Sequence, residues 1–193
     1  WEKRWHPLRE EWVIVCAHRG DRPWTGETLG EEPPEPPEYD KDCYLCPGNK
    51  RVGGAVNDNY ADTFVFDNDH PCVSLNAPLV SVEEKSFYKS GSAEGISRVV
   101  CYHPKHNSSM AELTLQETVK VMKVWQEQFS DLKDRKEINH ILIFENKGEI
   151  CGVSNPHPHC QIYATGFVAK IIETEARACE NYFKKHGKTL FSE

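Results

Sequence analysis

Apolar residues along the chain come mostly in short runs between polar turns, and two stretches show helical spacing instead. Trp12-Val13-Ile14-Val15 is an aromatic and β-branched run set off by the punctuation of His6-Pro7, and it predicts a strand. Further short strands are predicted at 63–66 (TFVF) and 96–103 (ISRVVCYH), separated by a polar stretch containing Gly and Ser. A helix is predicted over about 115–132, with Val121, Val124, Trp125 and Phe129 as its apolar stripe. Thr114 followed by Glu117 has the form of a capping box at its start. The run 139–146 (NHILIFEN) reads as a buried strand, and CQIYA from Cys160 as another, with the loop KGEICGVSN delivered between them. A second helical pattern starts near Ala169 and carries Ile171, Ile172, Ala176 and Tyr182. Strands and helices in this order predict an α+β fold, an antiparallel sheet flanked by helices, in one domain over 1–193.

One segment breaks the strand pattern in an informative way. In NPHPHCQIYA, His157, His159 and Gln161 occupy alternate positions across a proline. Side chains two apart on a strand share a face, so two imidazoles and an amide point the same way. Pro156 and Pro158 remove backbone donors, which suits an edge or a loop entering a strand.

Composition narrows what such a cluster can serve. The chain has 193 residues with a formal net charge of -7, which disfavours an extended nucleic-acid surface but leaves room for a compact anion. No apolar run approaches the roughly 20 residues of a membrane span, and the charged start WEKRWHPLREEW has no signal-peptide h-region. Four prolines among acids in TGETLGEEPPEPPEYD predict an exposed, extended loop. Eight cysteines in a chain this long, without a secretion signal, predict a reduced cytoplasmic setting with thiols available to metal.

Cys43 and Cys46 form a CxxC before the turn Pro47-Gly48-Asn49. Two thiolates at that spacing can reach one tetrahedral Zn²⁺, and the same motif is also compatible with redox chemistry. His106 and His157, each beside a strand end, are candidates for the remaining ligands. With His157 held by metal, His159 is the free imidazole, able to attack phosphorus and form a phosphoramidate. Its other ring nitrogen needs an orienting partner, and a backbone carbonyl is the simplest. Gln161 can hydrogen-bond phosphoryl oxygens but cannot act as an acid or base, which favours transfer to an acceptor over hydrolysis. Arg19 and Arg22, in HRGDRPW, can neutralise a diphosphate or a sugar phosphate, although a solvated turn would look the same.

The motifs RWHPLREEWVIV, HRGDRPW, CYLCPGN, FDND, CYHPKH, FENKG, SNPHPHCQ and ETE, in this order, resemble the N-terminal half of the galactose-1-phosphate uridylyltransferases, the transferase branch of the histidine-triad superfamily. The resemblance covers essentially the whole chain and implies a histidine-triad-like domain. It implies ping-pong transfer of a uridylyl group from UDP-glucose to galactose 1-phosphate in galactose metabolism, giving UDP-galactose by way of a uridylyl-histidine. On matching positions, His159 is the nucleophile and Gln161 the amide that stabilises the intermediate. Cys43, Cys46, His106 and His157 match four zinc ligands. Arg19 and Arg22 match phosphate-binding arginines, Asn68 and Asp69 match residues at the uridine and ribose, and Asn146 and Ser154 match residues around the phosphates. Glu175 matches a ligand of a second metal site, described as iron in some members. The family's sites are completed across a homodimer, with neither nucleic acid nor membrane as partner.

The chain departs from the pattern at Val153, where members often carry Cys, and in the GEIC segment after Lys147. The family's chain is also nearly twice as long, and its second half supplies further substrate and metal residues. Two alternatives remain at this level. One is a related nucleotide-sugar transferase or phosphorylase using another nucleotide. The other is a zinc-stabilised nucleotide-sugar-binding fragment without full turnover.

Overall fold

The computed structural model describes residues 1–23, 35–80, 87–153 and 155–192. In chain order its strands and first helix are β1 (Glu2–His6), β2 (Glu11–Val15), β3 (Phe64–Asp67), β4 (Gly95–Cys101) and α1 (Leu115–Leu132). They are followed by β5 (His140–Phe144), β6 (His159–Thr165) and α2 (Lys170–His186). The chain divides into two compact units, Trp1–Pro33 with Val168–Glu193, and Pro34–Phe167.

In the first unit β1 and β2 form an antiparallel hairpin with Trp5 opposite Trp12. The two indole rings meet edge to face at 5.3 Å, the kind of cross-strand aromatic pair that holds a two-stranded ribbon. β1 is too polar in sequence to announce itself, and its partner β2 supplies the reason for its extended form. Arg177 of α2 reaches Glu10 in the hairpin turn at 2.6 Å. Gly187, at φ 70°, ends α2 in the left-handed conformation and donates its N–H to the Phe183 carbonyl.

The second unit is built on a four-stranded antiparallel sheet in the order β3-β4-β6-β5. Its strands fall within a residue or two of the expected runs, and β4 stops at Cys101, short of Pro104. The helix α1 begins where the capping box predicts: Thr114 Oγ1 accepts from the Glu117 N–H at 3.3 Å, and Glu117 accepts from the Thr114 N–H at 2.8 Å. Val121 and Leu132 of α1 are fully buried, whereas Phe129, placed on the apolar stripe by its spacing, is half exposed.

Alternation along the strands divides the sheet. Val100, Cys160, Ile162 and Ala164 face α1 and make one core with Val121, Leu132 and Ile138. Val99 and Cys101 on the opposite face make a second core with Cys43, Leu45 and Cys46, flanked by Tyr60, Phe64 and Phe66. The antiparallel sheet of an α+β fold is thus present, with α1 on one face and the cysteine-bearing loop on the other. Among the described residues no helix is long and apolar enough to cross a membrane.

Candidate active site and metal centre

The loop after Asp40 folds through a series of tight turns that bring both thiols of the CxxC inward. Cys46 N–H donates to the Cys43 carbonyl, and Asn49 side-chain N–H groups reach the Asp40 and Cys43 carbonyls at 2.9 and 2.8 Å. Asn57 clamps the same loop, donating to the Tyr44 and Cys46 carbonyls at 3.0 Å. Cys43, Cys46, His106 and His157, all buried, then offer ligand atoms that lie within 4.8 Å of one another.

This donor set fits a metal ion on geometry and on charge. Cys46 Sγ stands 3.7 Å from His106 Nδ1 and 3.5 Å from His157 Nδ1. A tetrahedral ion with thiolate and imidazole bonds of ordinary zinc length needs an S···N edge of about 3.6 Å. Burial pushes the Cys46 thiol up to about 12, so a thiolate there requires a cation beside it. Burial, and then the neighbouring His106, push His157 down to about 4, which keeps the imidazole neutral as a ligand must be. Two thiolates and a divalent cation sum to zero, the cheapest balance for a buried site.

Outer partners fix the ligands. His157 Nε2 lies 3.0 Å from both the His103 carbonyl and the Tyr60 hydroxyl, turning Nδ1 toward the thiols. The Tyr60 hydroxyl itself donates to the Leu45 carbonyl at 2.6 Å. Asn155 donates to Cys43 Sγ at 3.3 Å and accepts from the His157 N–H at 2.9 Å, joining the two segments that carry the ligands. Tyr60, Asn155 and the His103 carbonyl give no sequence signal of this role: a backbone carbonyl is silent in sequence, Tyr60 lies 97 residues from His157, and Asn155, although inside the NPHPHCQ segment, meets Cys43 112 residues away.

The second part of the site follows directly along the chain. Tyr102 N–H donates to the Pro158 carbonyl, extending the β4–β6 ladder one step toward His157. His159 opens β6, half-buried, and its Nδ1 lies 2.7 Å from the His157 carbonyl. The carbonyl therefore accepts Nδ1–H and leaves Nε2 with its lone pair. One imidazole is thus sequestered among thiols and the next is held by that residue's backbone.

His159 and Gln161 line a pocket of about 280 Å³ together with Asn68, Asp69, Phe66 and Val99. Asn68 and Asp69 follow β3, so the sheet itself brings the FDND segment against the HPHCQ segment. Arg51 backs this wall. Its guanidinium lies 4.2 Å from the centre of the Phe66 ring and 3.6 Å from Asp69. Gly53 lets the same turn approach, since a Cβ there would meet Asp69 Oδ1 at 2.8 Å. A smaller cleft joins Asn146 and Val153 to His159 and Gln161. Phe66, Val99 and Arg51 carry no sequence signal of this placement, because apolar strand residues and a lone arginine look alike in a core and at a pocket.

The remaining sequence candidates have different placements. Arg19 lies in the 3-10 turn Ala17–Asp21 and Arg22 caps it, both exposed within the first unit. Glu175 lies half-buried on α2 of that same unit. Ser154 lies outside the described residues, as does much of the proline-rich stretch. All eight cysteines are free thiols.

Known proteins resemble this chain over most of its length. The family model for galactose-1-phosphate uridyl transferase, N-terminal domain, matches residues 1–169. A galactose-1-phosphate uridylyltransferase of Haemophilus influenzae is 39% identical over 188 residues, covering 97% of this chain and 53% of its own. A solved uridylyltransferase structure is 28% identical with a TM-score of 0.65, over 99% of this chain and 54% of its own. A crystal structure of an ADP-glucose phosphorylase from Arabidopsis thaliana, 22% identical with a TM-score of 0.70, shares the fold over 97% of this chain and 56% of its own. The chain spans about half the length of the curated relatives it matches.

Proposed function

Given that this chain belongs to the galactose-1-phosphate uridyl transferase family, through the family's N-terminal domain, we propose that it transfers a uridylyl group from UDP-glucose to galactose 1-phosphate through His159. The observation that carries this reading is the His159 ring, tied through Nδ1 to the His157 carbonyl at 2.7 Å beside a pocket that also holds Gln161, Asn68 and Asp69.

The Nε2 lone pair attacks the α-phosphorus of UDP-glucose, and the bond from that phosphorus to the bridging oxygen breaks. Glucose 1-phosphate leaves with the electron pair. The Nδ1–H donated to the carbonyl stabilises the positive charge that the ring acquires, so no proton has to move in this step. In the second half-reaction a phosphate oxygen of galactose 1-phosphate attacks the same phosphorus. The P–N bond breaks, and neutral His159 is restored with UDP-galactose as product. Gln161 donates to the phosphoryl oxygens as charge develops, Asn68 and Asp69 hold the nucleoside, and Asn146 and Ser154 attend the phosphates. Arg19 and Arg22 serve as phosphate cations in this reading.

Cys43, Cys46, His106 and His157 would hold zinc. Bound there, the ion supplies a rigid cross-link with no open position for substrate, since protein fills all four. That role suits the satisfied outer partners of His157 and Cys43. Glu175 is proposed as one ligand of a second, iron-type site. We further read 1–193 as a single N-terminal uridylyltransferase domain of a cytoplasmic homodimer.

The test is intact mass spectrometry of the purified chain after incubation with UDP-glucose, with His159→Ala alongside. One uridylyl adduct on the parent chain and none on the variant is expected. An adduct of equal yield on His159→Ala would refute the assignment, and labelling by ADP-glucose in preference to UDP-glucose would move the reading to another nucleotide.

A further inference from the structure

Gln161 and Tyr163 stand two apart on β6, so both side chains project from the pocket face of the sheet. The Tyr163 hydroxyl donates to Gln161 Oε1 at 3.0 Å. The phenol ring is held from the side by Phe144, with ring centres 4.8 Å apart and planes at 78°. Phe144 is itself the cross-strand partner of Gln161 on β5.

A primary amide has an accepting end and a donating end, and half a turn about its last side-chain bond exchanges them. With Oε1 engaged by the phenol, the Nε2 hydrogens are the end turned to the pocket that Gln161 shares with His159. We propose that Tyr163 is a positioning residue, locking the Gln161 amide with its donor end toward the phosphoryl group carried by His159. The proposal rests on the reading of His159 as uridylyl carrier and Gln161 as the stabilising amide. The reversed amide would set a carbonyl oxygen against phosphoryl oxygens, so every molecule in that orientation is lost to the reaction. Burial, with the neighbouring Cys72, pushes the phenol up to about 12, so the hydroxyl keeps its proton throughout the neutral range.

Tyr163→Phe removes the hydroxyl and keeps the ring against Phe144. On the whole chain, the rate at which UDP-glucose uridylylates His159 is followed by intact mass, for the parent, Tyr163→Phe, Gln161→Ala and the double variant. Uridine affinity is measured by calorimetry, and the Gln161 side-chain amide is observed by NMR with glutamine-selective nitrogen labelling. Tyr163→Phe is expected to slow uridylylation about tenfold, the worth of one hydrogen bond to a buried site. Uridine affinity should hold, the Gln161 amide signals should shift, and the double variant should be no slower than Gln161→Ala alone. The positioning role is overturned by an unchanged rate in Tyr163→Phe, by losses that add in the double variant, or by a matching fall in uridine affinity, which would mark simple packing. Failure of the underlying reading looks different: the parent chain itself forms no adduct, and the positioning role falls with it.

Discussion

On β6, Cys160, Ile162 and Ala164 are at most 2% exposed and lie against Val121 and Leu132, whereas His159, Gln161 and Tyr163 are half-buried on the opposite face, where His159 and Gln161 line the pocket. The same strand thus obeys two rules in alternation. Toward α1, what matters along β6 is apolar volume, with Cys160 Sγ accepting from the Trp125 indole N–H at 3.3 Å. Toward the pocket, each polar group is tied to a named partner: His159 to a carbonyl, Gln161 to a phenol, His157 to a carbonyl and a hydroxyl. Stability and chemistry therefore share a backbone while occupying opposite faces, and a one-residue slip of register would exchange them.

The most severe way to test this division acts on the metal side. Cys46→Ser removes a ligand whose Sγ lies within 3.7 Å of both histidine ligands. Bound zinc, measured by elemental mass spectrometry, is expected to fall from about one per chain to near zero, as a three-ligand buried site cannot hold the ion tightly. Uridylylation of His159 should be lost with it, because the carbonyl that orients His159 belongs to the ligand His157. The helix face should persist, so far-UV circular dichroism should retain the α1 signal. Full zinc occupancy in Cys46→Ser would break the assignment of that ligand set.

A gentler comparison uses neighbours in sequence. Ile162→Ala empties a fully buried position and should cost about 2–5 kcal/mol in urea unfolding. Uridylylation per folded molecule should stay near the parent value. Gln161→Ala, one residue away on the other face, should cost less than about 1 kcal/mol of stability. It should slow uridylylation by about 10²–10³, the usual consequence of deleting a donor to developing charge. Equal destabilisation by both variants would mean that the pocket face is core after all.

How much of this could be read in sequence follows from the same division. The helix face was legible: periodicity and the Thr114–Glu117 capping box located α1 to the residue, since both are local rules. The pairing of His157 and His159 was legible because alternation across proline is itself unusual. Helical spacing puts Phe129 on the apolar stripe without saying how deep each position lies, and the buried place at that end belongs to Leu132. β1 was missed because its residues, EKRWH, are mostly exposed and gain their extended form from β2. Around the site the gaps lie in outer partners such as Asn57, Tyr60 and Asn155. The Tyr60 and Asn155 contacts join chain segments 97 and 112 residues apart, and Asn57 reaches back 11 and 13 residues to the cysteine loop, none of which a local pattern encodes.

The smallest effect expected is at the start of α1, where the two faces come nearest to a common support. Thr114 Oγ1 caps the Glu117 N–H, and Glu117 also lies 3.4 Å from His103 Nε2, the residue whose carbonyl holds His157. Thr114→Ala should cost about 1 kcal/mol, the usual value of an N-cap. Hydrogen bonds from the Thr114 side chain and backbone hold the Glu117 carboxyl below its ordinary value of 4.5. A carboxylate with a lowered value contributes stability that is fully present above its unfolded pKa and lost as pH falls through the folded one. The difference between parent and Thr114→Ala in urea unfolding should therefore be constant from pH 5.5 to pH 7, a range chosen to lie about one unit or more above that value, and should shrink below 4.5. Zinc content should be unaffected, because His103 contributes to the metal centre through its backbone and not through the ring that meets Glu117. A drop in zinc content with loss of the cap would show that α1 supports the metal face as well as its own.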